Sequence, residues 1–385
     1  MKPSGISADG IKPLQIWTVV AVAITVGCLP ALMPILLGAL LDEHRISPDQ
    51  VGQIATAEAL GRVLANLFAG AMLRPVRLRG IAAGAAAVMT ATSLVIIYAE
   101  PATILLARFL NGVGAGMILW LLIDLMARVN QPGRMFAIYV AIQSVVTFLL
   151  SSLLTTHIVL NWGSSGGYLA LAMLGTIPLA LSALVPRQYP IHSERPTTGL
   201  PSPLGLIGLS AVFFFMAGIF AFWVYVGAIA KQAGHSPTSA SQAINYAIGI
   251  QITAGLAAMR LADRWNGAVT TAMTALLLAG CALALLYVPQ TWALYFSTGI
   301  VAFLWMFTPA FHLPMLLHLD RTGKAAIYSG TAQLGGIAAG PLLASNFVQS
   351  DDYTGAVATS VSLFIICALL LLPSLLCQSK RRQLN

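Results

Sequence analysis

Along this chain, apolar runs bounded by charge, Pro or Gly mark out twelve segments: 14–41, 50–73, 80–98, 102–127, 135–157, 166–185, 204–230, 243–261, 268–287, 291–318, 326–347 and 354–376. A helix needs about 20 apolar residues to cross a bilayer, and each run is of that order. The pattern therefore predicts an all-α integral membrane protein of twelve transmembrane helices. The first run is too long for the core of a signal peptide and lacks a clear small-residue cleavage site, so it reads as the first span.

Composition agrees with that pattern. Of 385 residues, 58% are hydrophobic and only 8% charged, and the mean hydropathy is +0.84. A soluble domain carries roughly 25% charged residues, so lipid must cover most of this surface. Cys28, Cys281, Cys367 and Cys377 lie within or at the end of apolar stretches. They have no metal-ligand spacing and read as small packing residues.

The placement of charge sets the orientation. With the amino terminus inside, one set of connections holds 16 of the 20 Lys and Arg, while the other holds only Arg45 and Lys231. Cationic loops stay cytoplasmic, which puts both termini inside and the protein in the inner (plasma) membrane. The same distribution removes nucleic acid as a partner, because the net charge of +8 is spread along one membrane face. The acids Asp42, Glu43, Asp49, Glu100, Asp351 and Asp352 fall on the opposite side.

Residues 186–203 form a polar, Pro-bearing cytoplasmic stretch near the midpoint. They divide the chain into an amino-terminal six-helix bundle, 1–185, and a carboxy-terminal one, 204–385. The halves echo each other. Gly133-Arg134 precedes Ile138-Tyr139, Gly323-Lys324 precedes Ile327-Tyr328, and the spans so opened carry Gln143 and Gln333. An internal repeat of this kind places a solute site between the repeats near the midplane.

Three motifs now bear on kinship. The loop after the eighth segment reads Arg260-Leu261-Ala262-Asp263-Arg264, with Gly267 following. The fourth segment carries Arg108 followed by Gly112, Gly114 and Gly116, and the eleventh carries Gly335-Gly336 and Gly340-Pro341. Together with the topology, over essentially the whole chain, these resemble the major facilitator superfamily, nearest to its twelve-helix drug–proton antiporters. The resemblance implies two pseudo-symmetric six-helix bundles, no enzyme activity, no cofactor, and a monomer that moves a small organic solute by alternating access. Two departures stand out. Arg74 occupies the loop position where the family usually has Asp, and the fifth segment contains no Gly. The family's charge cluster at the cytoplasmic gate implies gate roles for Arg74, Arg77, Asp124, Asp263 and Arg264, with Asp124 pairing to Arg74 or Arg77.

Charges inside the hydrocarbon layer are costly and mark a pathway or a pair. Glu58 lies on the order of 14 Å into the second span at 1.5 Å per residue. Arg62 follows one turn later on the same face, and Arg108 sits at similar depth in the fourth. The expectation is a buried Glu58–Arg108 pair, shared with Arg62. It serves either as a proton-coupling centre, since burial and neighbouring guanidinium groups push a carboxyl's proton affinity in opposite senses, or as a static tie between helices. Asn111, Gln143, Tyr225, Trp305 and Gln333 are candidate solute contacts, each also readable as a helix–helix hydrogen bond or packing aromatic. His312, between Pro309 and Pro314, is expected to be solvated near the cytoplasmic end of the tenth span. No His, Cys and acid cluster suits a metal, and no phosphate-binding Gly-Lys-Ser/Thr loop is present.

The leading function is a proton-coupled secondary carrier. The two membrane arginines favour an amphipathic organic solute bearing an anionic group, and the aromatic-bearing spans favour drug-like or metabolite export by proton antiport. A non-transporting sensor also satisfies the sequence. A membrane-embedded transferase does not, because Glu58 and Asp124 lie about half a membrane apart in depth.

Overall fold

The computed structural model describes residues 8, 10–72, 76–126, 128–189, 200–261, 264–349 and 352–383. Arg74 and Asp263 lie outside them. Helices occupy all twelve apolar segments. In the amino-terminal part these are α1 (Pro13–Gly27), α2 (Leu29–Asp42), α3 (Pro48–Met72), α4 (Leu78–Ile96), α5 (Pro101–Met126), α6 (Pro132–Leu153) and α7 (Val159–Leu181). After these come α8 (Pro203–Trp223), α9 (Val226–Gln232), α10 (Pro237–Leu261), α11 (Gly267–Tyr287), α12 (Thr291–Phe307), α13 (Pro309–Leu319), α14 (Lys324–Ile327), α15 (Ser329–Ser345) and α16 (Thr354–Gln383). No strand is present among the described residues beyond isolated bridges. Among the described residues, seven helical stretches are long and apolar enough to cross a membrane, and the α12–α13 pair, bent by 45°, makes an eighth if it counts as one span.

Prolines and glycine explain where the segments break. Pro30 follows the end of α1 and Pro309 the end of α12, where a missing N–H and a ring clash interrupt the helical ladder. Between α6 and α7 the chain passes through a π-turn, Leu154–Ile158, and then breaks at Gly163, whose φ of 58° belongs to the left-handed region that glycine enters without strain. A Cβ there would also overlap the Glu43 carboxylate.

The chain forms two compact units, Met1–Ile46 with Ala57–Glu194, and Ser47–Thr56 with Arg195–Asn385. In the first, α4 packs on α5 and α7, and α1 packs on α5. In the second, α8 packs on α15 and α16, α10 on α12, and α11 on α16. The opening turns of α3 belong to the second unit, where the Gly52 N–H donates to Tyr225 Oη at 3.0 Å and Thr56 Oγ1 to the Ala338 carbonyl at 2.9 Å.

At the end of the first unit where α4 stops and α7 restarts, Arg45 is held by several partners. Arg45 Nη2 donates to the carbonyls of Ile96 (2.7 Å) and Ala99 (3.1 Å), and Nη1 to Ser164 Oγ (3.0 Å). The Glu43 carboxylate accepts from the Ser164 N–H and hydroxyl. A cation thus covers the last carbonyls of α4, and an anion covers the N–H groups at the restart of α7, both in the sense the helix dipole favours.

Candidate functional site

Spaced glycines create the site by letting two helices touch backbone to backbone. A Cβ at Gly61 would overlap the Phe109 carbonyl, one at Gly112 the Glu58 carbonyl, and one at Gly116 the Arg62 carbonyl. With hydrogen at these positions, α3 and the middle of α5 come close enough for side chains one turn away to meet, the small-residue packing typical of membrane helices. That proximity delivers Glu58 to Arg108.

The Glu58 carboxylate is fully buried and spends one oxygen on each of two guanidinium groups. Oε1 accepts from Arg62 Nη2 at 2.9 Å, and Oε2 accepts from Arg108 Nη2. Both arginines are buried, Arg108 completely. The trio predicted from depth and helical spacing is therefore assembled. Tyr168 of α7, also fully buried, lays its ring 5.8 Å from Arg108 Cζ in a cation–π contact. Nothing in the apolar run that holds Tyr168 marked it, since its role comes from the packing of α7 in the first unit.

The donors of the trio outnumber its acceptors. Arg108 Nε and Nη1, Arg62 Nε and Tyr168 Oη are buried and have no hydrogen-bond partner. Two cations face one anion, and among the described residues no second acid pairs with either arginine. Asn111, one turn beyond Arg108, donates from Nδ2 to the Met89 carbonyl and to the hydroxyls of Thr92 and Ser93. Its Oδ1 is buried and unpartnered. It lines a small cavity with Thr25, Leu29, Met89, Ser93, Leu171, Leu174 and Gly175, which has room for about one water molecule.

The remaining candidates divide. Gln143 donates from Nε2 to the Gly27 carbonyl at 2.9 Å, at the break between α1 and α2, so it stitches a helix break in the first unit. In the second unit Tyr225 is buried and accepts from Gly52. Trp305 meets Phe220 edge-to-face at 4.9 Å and Trp223 at a tilt at 5.6 Å between ring centroids, and the Trp223 indole N–H is buried without a partner. Gln333 is half-buried and reaches Ser329 Oγ at 3.5 Å.

Two expectations need correction. Asp124 pairs at 2.6 Å with Arg128, four residues on and just past the end of α5, and not with Arg77, which is exposed at the start of α4, while Arg74, the other expected partner, lies outside the described residues. Arg128 also lies 5.1 Å from the centroid of the Tyr189 ring, and Tyr189 Oη donates to the Leu121 carbonyl. The first residues of the expected linker are thus docked on the first unit, reinforced by Leu78 N–H to the Arg187 carbonyl and Arg79 Nε to the Val185 carbonyl. Burial pushes the Tyr189 phenol up, Asp124 adds to this, and Arg128 opposes it. Arg264 is exposed. His312 is fully buried against Phe215, with 5.4 Å between ring centroids, and neither ring nitrogen has a partner. The bent α12–α13 pair carries it into the packed interior of the second unit, away from solvent.

Comparison with known proteins adds to this geometry. A family model described as Major Facilitator Superfamily matches residues 18–341. The fold is similar to that of the nucleoside transporter NupG, solved in a mutant form, with a TM-score of 0.65 at 11% identity over 94% of this chain and 99% of that one. Comparison by sequence with curated proteins gives no match.

Proposed function

Because the chain belongs to the Major Facilitator Superfamily, a family of membrane transporters and not of enzymes, we propose that it is a proton-coupled secondary carrier that moves a small amphipathic organic solute by alternating access. The observation that carries this reading is the carboxylate of Glu58, buried in the first unit and shared between Arg62 and Arg108. A buried carboxylate costs several kcal/mol and is retained where it pairs or moves protons. Glu58 is the proton carrier in this reading. Each of its oxygens is held by a guanidinium partner, and in this reading the proton binds at the oxygen that a departing partner leaves open.

The working frame is twelve crossings in two six-helix halves, 1–185 and 204–385, joined by the cytoplasmic stretch 186–203. Both termini face the cytoplasm, and the carrier acts as a monomer in the inner membrane. Asp124 with Arg128, together with Arg74, Arg77, Asp263 and Arg264, serves the cytoplasmic gate. Asn111, Tyr225, Trp305 and Gln333 contact solute during the cycle, and Gln143 holds the α1–α2 break. The aromatic group Phe220, Trp223 and Trp305 supports a solute with an apolar or ring-bearing part.

The test is uptake by full-length protein in proteoliposomes across a solute panel, with and without a pH gradient. Glu58→Gln should abolish pH-driven accumulation and leave solute binding in place. Accumulation that still follows the pH gradient in Glu58→Gln would remove Glu58 from the mechanism and this reading with it.

A further inference from the structure

We propose that Arg108 and Tyr168 form an oxyanion-binding site, so that the transported solute carries a single carboxylate and enters by taking Arg108 away from Glu58. This deepens the proposed function and rests on it.

The site is defined by donors without acceptors. Of the five N–H groups of a guanidinium, Arg108 directs those of Nη2 to Glu58, while its Nε and Nη1 are buried and unpartnered. The Tyr168 hydroxyl is likewise buried and unpartnered, on the ring that lies 5.8 Å from Arg108 Cζ. Both residues are fully buried, so water does not stand in freely for the missing acceptor. A guanidinium holds a planar oxyanion best through two parallel hydrogen bonds from its Nε–H and the adjacent Nη2–H, so completing that fork takes Nη2 from Glu58, and the neighbouring phenol can supply a third bond. Charge points to the same class. Arg62 and Arg108 together carry two positive charges against the single negative charge of Glu58, and this net positive charge draws in an anion. Asp124, the acid on α5, is already engaged by Arg128.

The arrangement also states how proton and solute are linked. The titratable groups facing Glu58 and its partners are Arg62 on α3, Arg108 on α5, Tyr168 on α7 beside Arg108, and Tyr139 on α6 beside Arg62, with Arg45 reaching Tyr168 from the outer end. Once a solute carboxylate holds Arg108, Glu58 keeps only Arg62, and a proton from the adjoining solution adds to the released carboxylate oxygen. One anion and one proton therefore bind together. Their movement is electroneutral, driven by a pH gradient and indifferent to membrane potential.

The experiment uses full-length protein in proteoliposomes and matched probes: benzoate against benzamide, nicotinate against nicotinamide, and uridine and inorganic phosphate as further arms. At least one carboxylate should be taken up and its neutral amide should not. Tyr168→Phe should weaken carboxylate binding about tenfold, the value of one hydrogen bond to a charged group. Arg108→Gln should abolish the carboxylate preference. Arg108→Lys, which keeps the charge but loses the fork, should give the same loss in a protein whose fold is checked by its thermal transition. The sharpest arm is Glu58→Gln, which removes the competitor for Arg108 and should bind carboxylate about tenfold more tightly, the release of one such hydrogen bond.

Equal or better uptake of amides or uridine, binding of phosphate alone, uptake of no probe, or weaker carboxylate binding by Glu58→Gln would each overturn the inference. These failures leave proton coupling by Glu58 standing, whereas pH-driven flux retained in Glu58→Gln removes the reading beneath it.

Discussion

Replacing Gly112 with Ala tests whether backbone contact between α3 and α5 assembles the ion cluster. The added Cβ would lie 2.8 Å from the Glu58 carbonyl carbon and 3.0 Å from its Cα, where ordinary contact begins at 3.4 Å. The obstacle is backbone on both sides, so no side chain can swing aside. The Glu58 carbonyl oxygen lies closer still, so the helices must part by more than 0.6 Å, the shortfall between 3.4 and 2.8 Å at the carbonyl carbon alone. Overpacking of this kind costs about 1–3 kcal/mol. The displacement falls one turn from Arg108 and directly on Glu58, so the ion pair loosens as well, and a buried charge that loses its partner costs about 3–5 kcal/mol.

The control is Gly84→Ala in α4, where the new methyl meets nothing within 4 Å. There the better helix propensity of Ala should stabilise by up to about 1 kcal/mol. Thermal unfolding of detergent-solubilised protein and pH-driven uptake are the assays. Gly112→Ala should unfold at lower temperature and lose most coupled uptake, while Gly84→Ala matches or exceeds the parent. If both substitutions shift stability in the same favourable direction, the close approach of α3 and α5 does not hold the cluster together.

Arg45→Gln should lower the thermal midpoint, because carbonyls at the end of α4 lose a charged donor worth about 2 kcal/mol. Arg45→Lys should recover less than half of the loss, since an ammonium cannot span Ile96, Ala99 and Ser164 at once, and full recovery by Lys would refute the fork. In the loop after α13, burial works to raise the Asp320 carboxyl. Hydrogen bonds from the Thr322 hydroxyl, the Ala325 and Thr322 N–H groups and the Ser202 hydroxyl outweigh it and hold the group down at about 2, from 3.8. A folded-state value below the unfolded one stabilises above the unfolded value and is lost as pH falls through the folded one. The gap in stability between the parent and Asp320→Asn should therefore be full above pH 4 and close as pH falls toward 2. A gap that is constant across that window would remove Asp320 as the titrating group.

The fold was legible wherever one constraint acted alone. Runs of about 20 apolar residues have few alternatives to a helix in lipid, and all twelve segments are helical. Glu58, Arg62 and Arg108 were legible as a group because an ionised residue at depth must find a partner, and helical spacing places few within reach. Tyr168 was not legible, since its relation to Arg108 depends on how α7 packs and not on any spacing along the chain. Gln143 read as a solute contact because a polar side chain in an apolar helix can serve a ligand or a neighbouring backbone equally well. Only the position of the free Gly27 carbonyl decides between them.

The gate acid shows why local partners defeat remote ones. Matching Asp124 to Arg74 or Arg77 rested on charges brought to one membrane face by topology. Arg128 needs no such help, because it follows Asp124 by only four residues, just past the end of α5, where its N–H donates to the Leu125 carbonyl and its side chain meets Asp124. A loop arginine would pay the entropy of fixing both its backbone and its long side chain. Tyr189 then covers the pair: its ring lies over Arg128, and its hydroxyl bonds to the Leu121 carbonyl one turn before Asp124. That makes the first residues after α7 part of the first unit. The Asp124–Arg128 pair is therefore set by short sequence spacing at the end of α5 and by the docked start of the segment after α7.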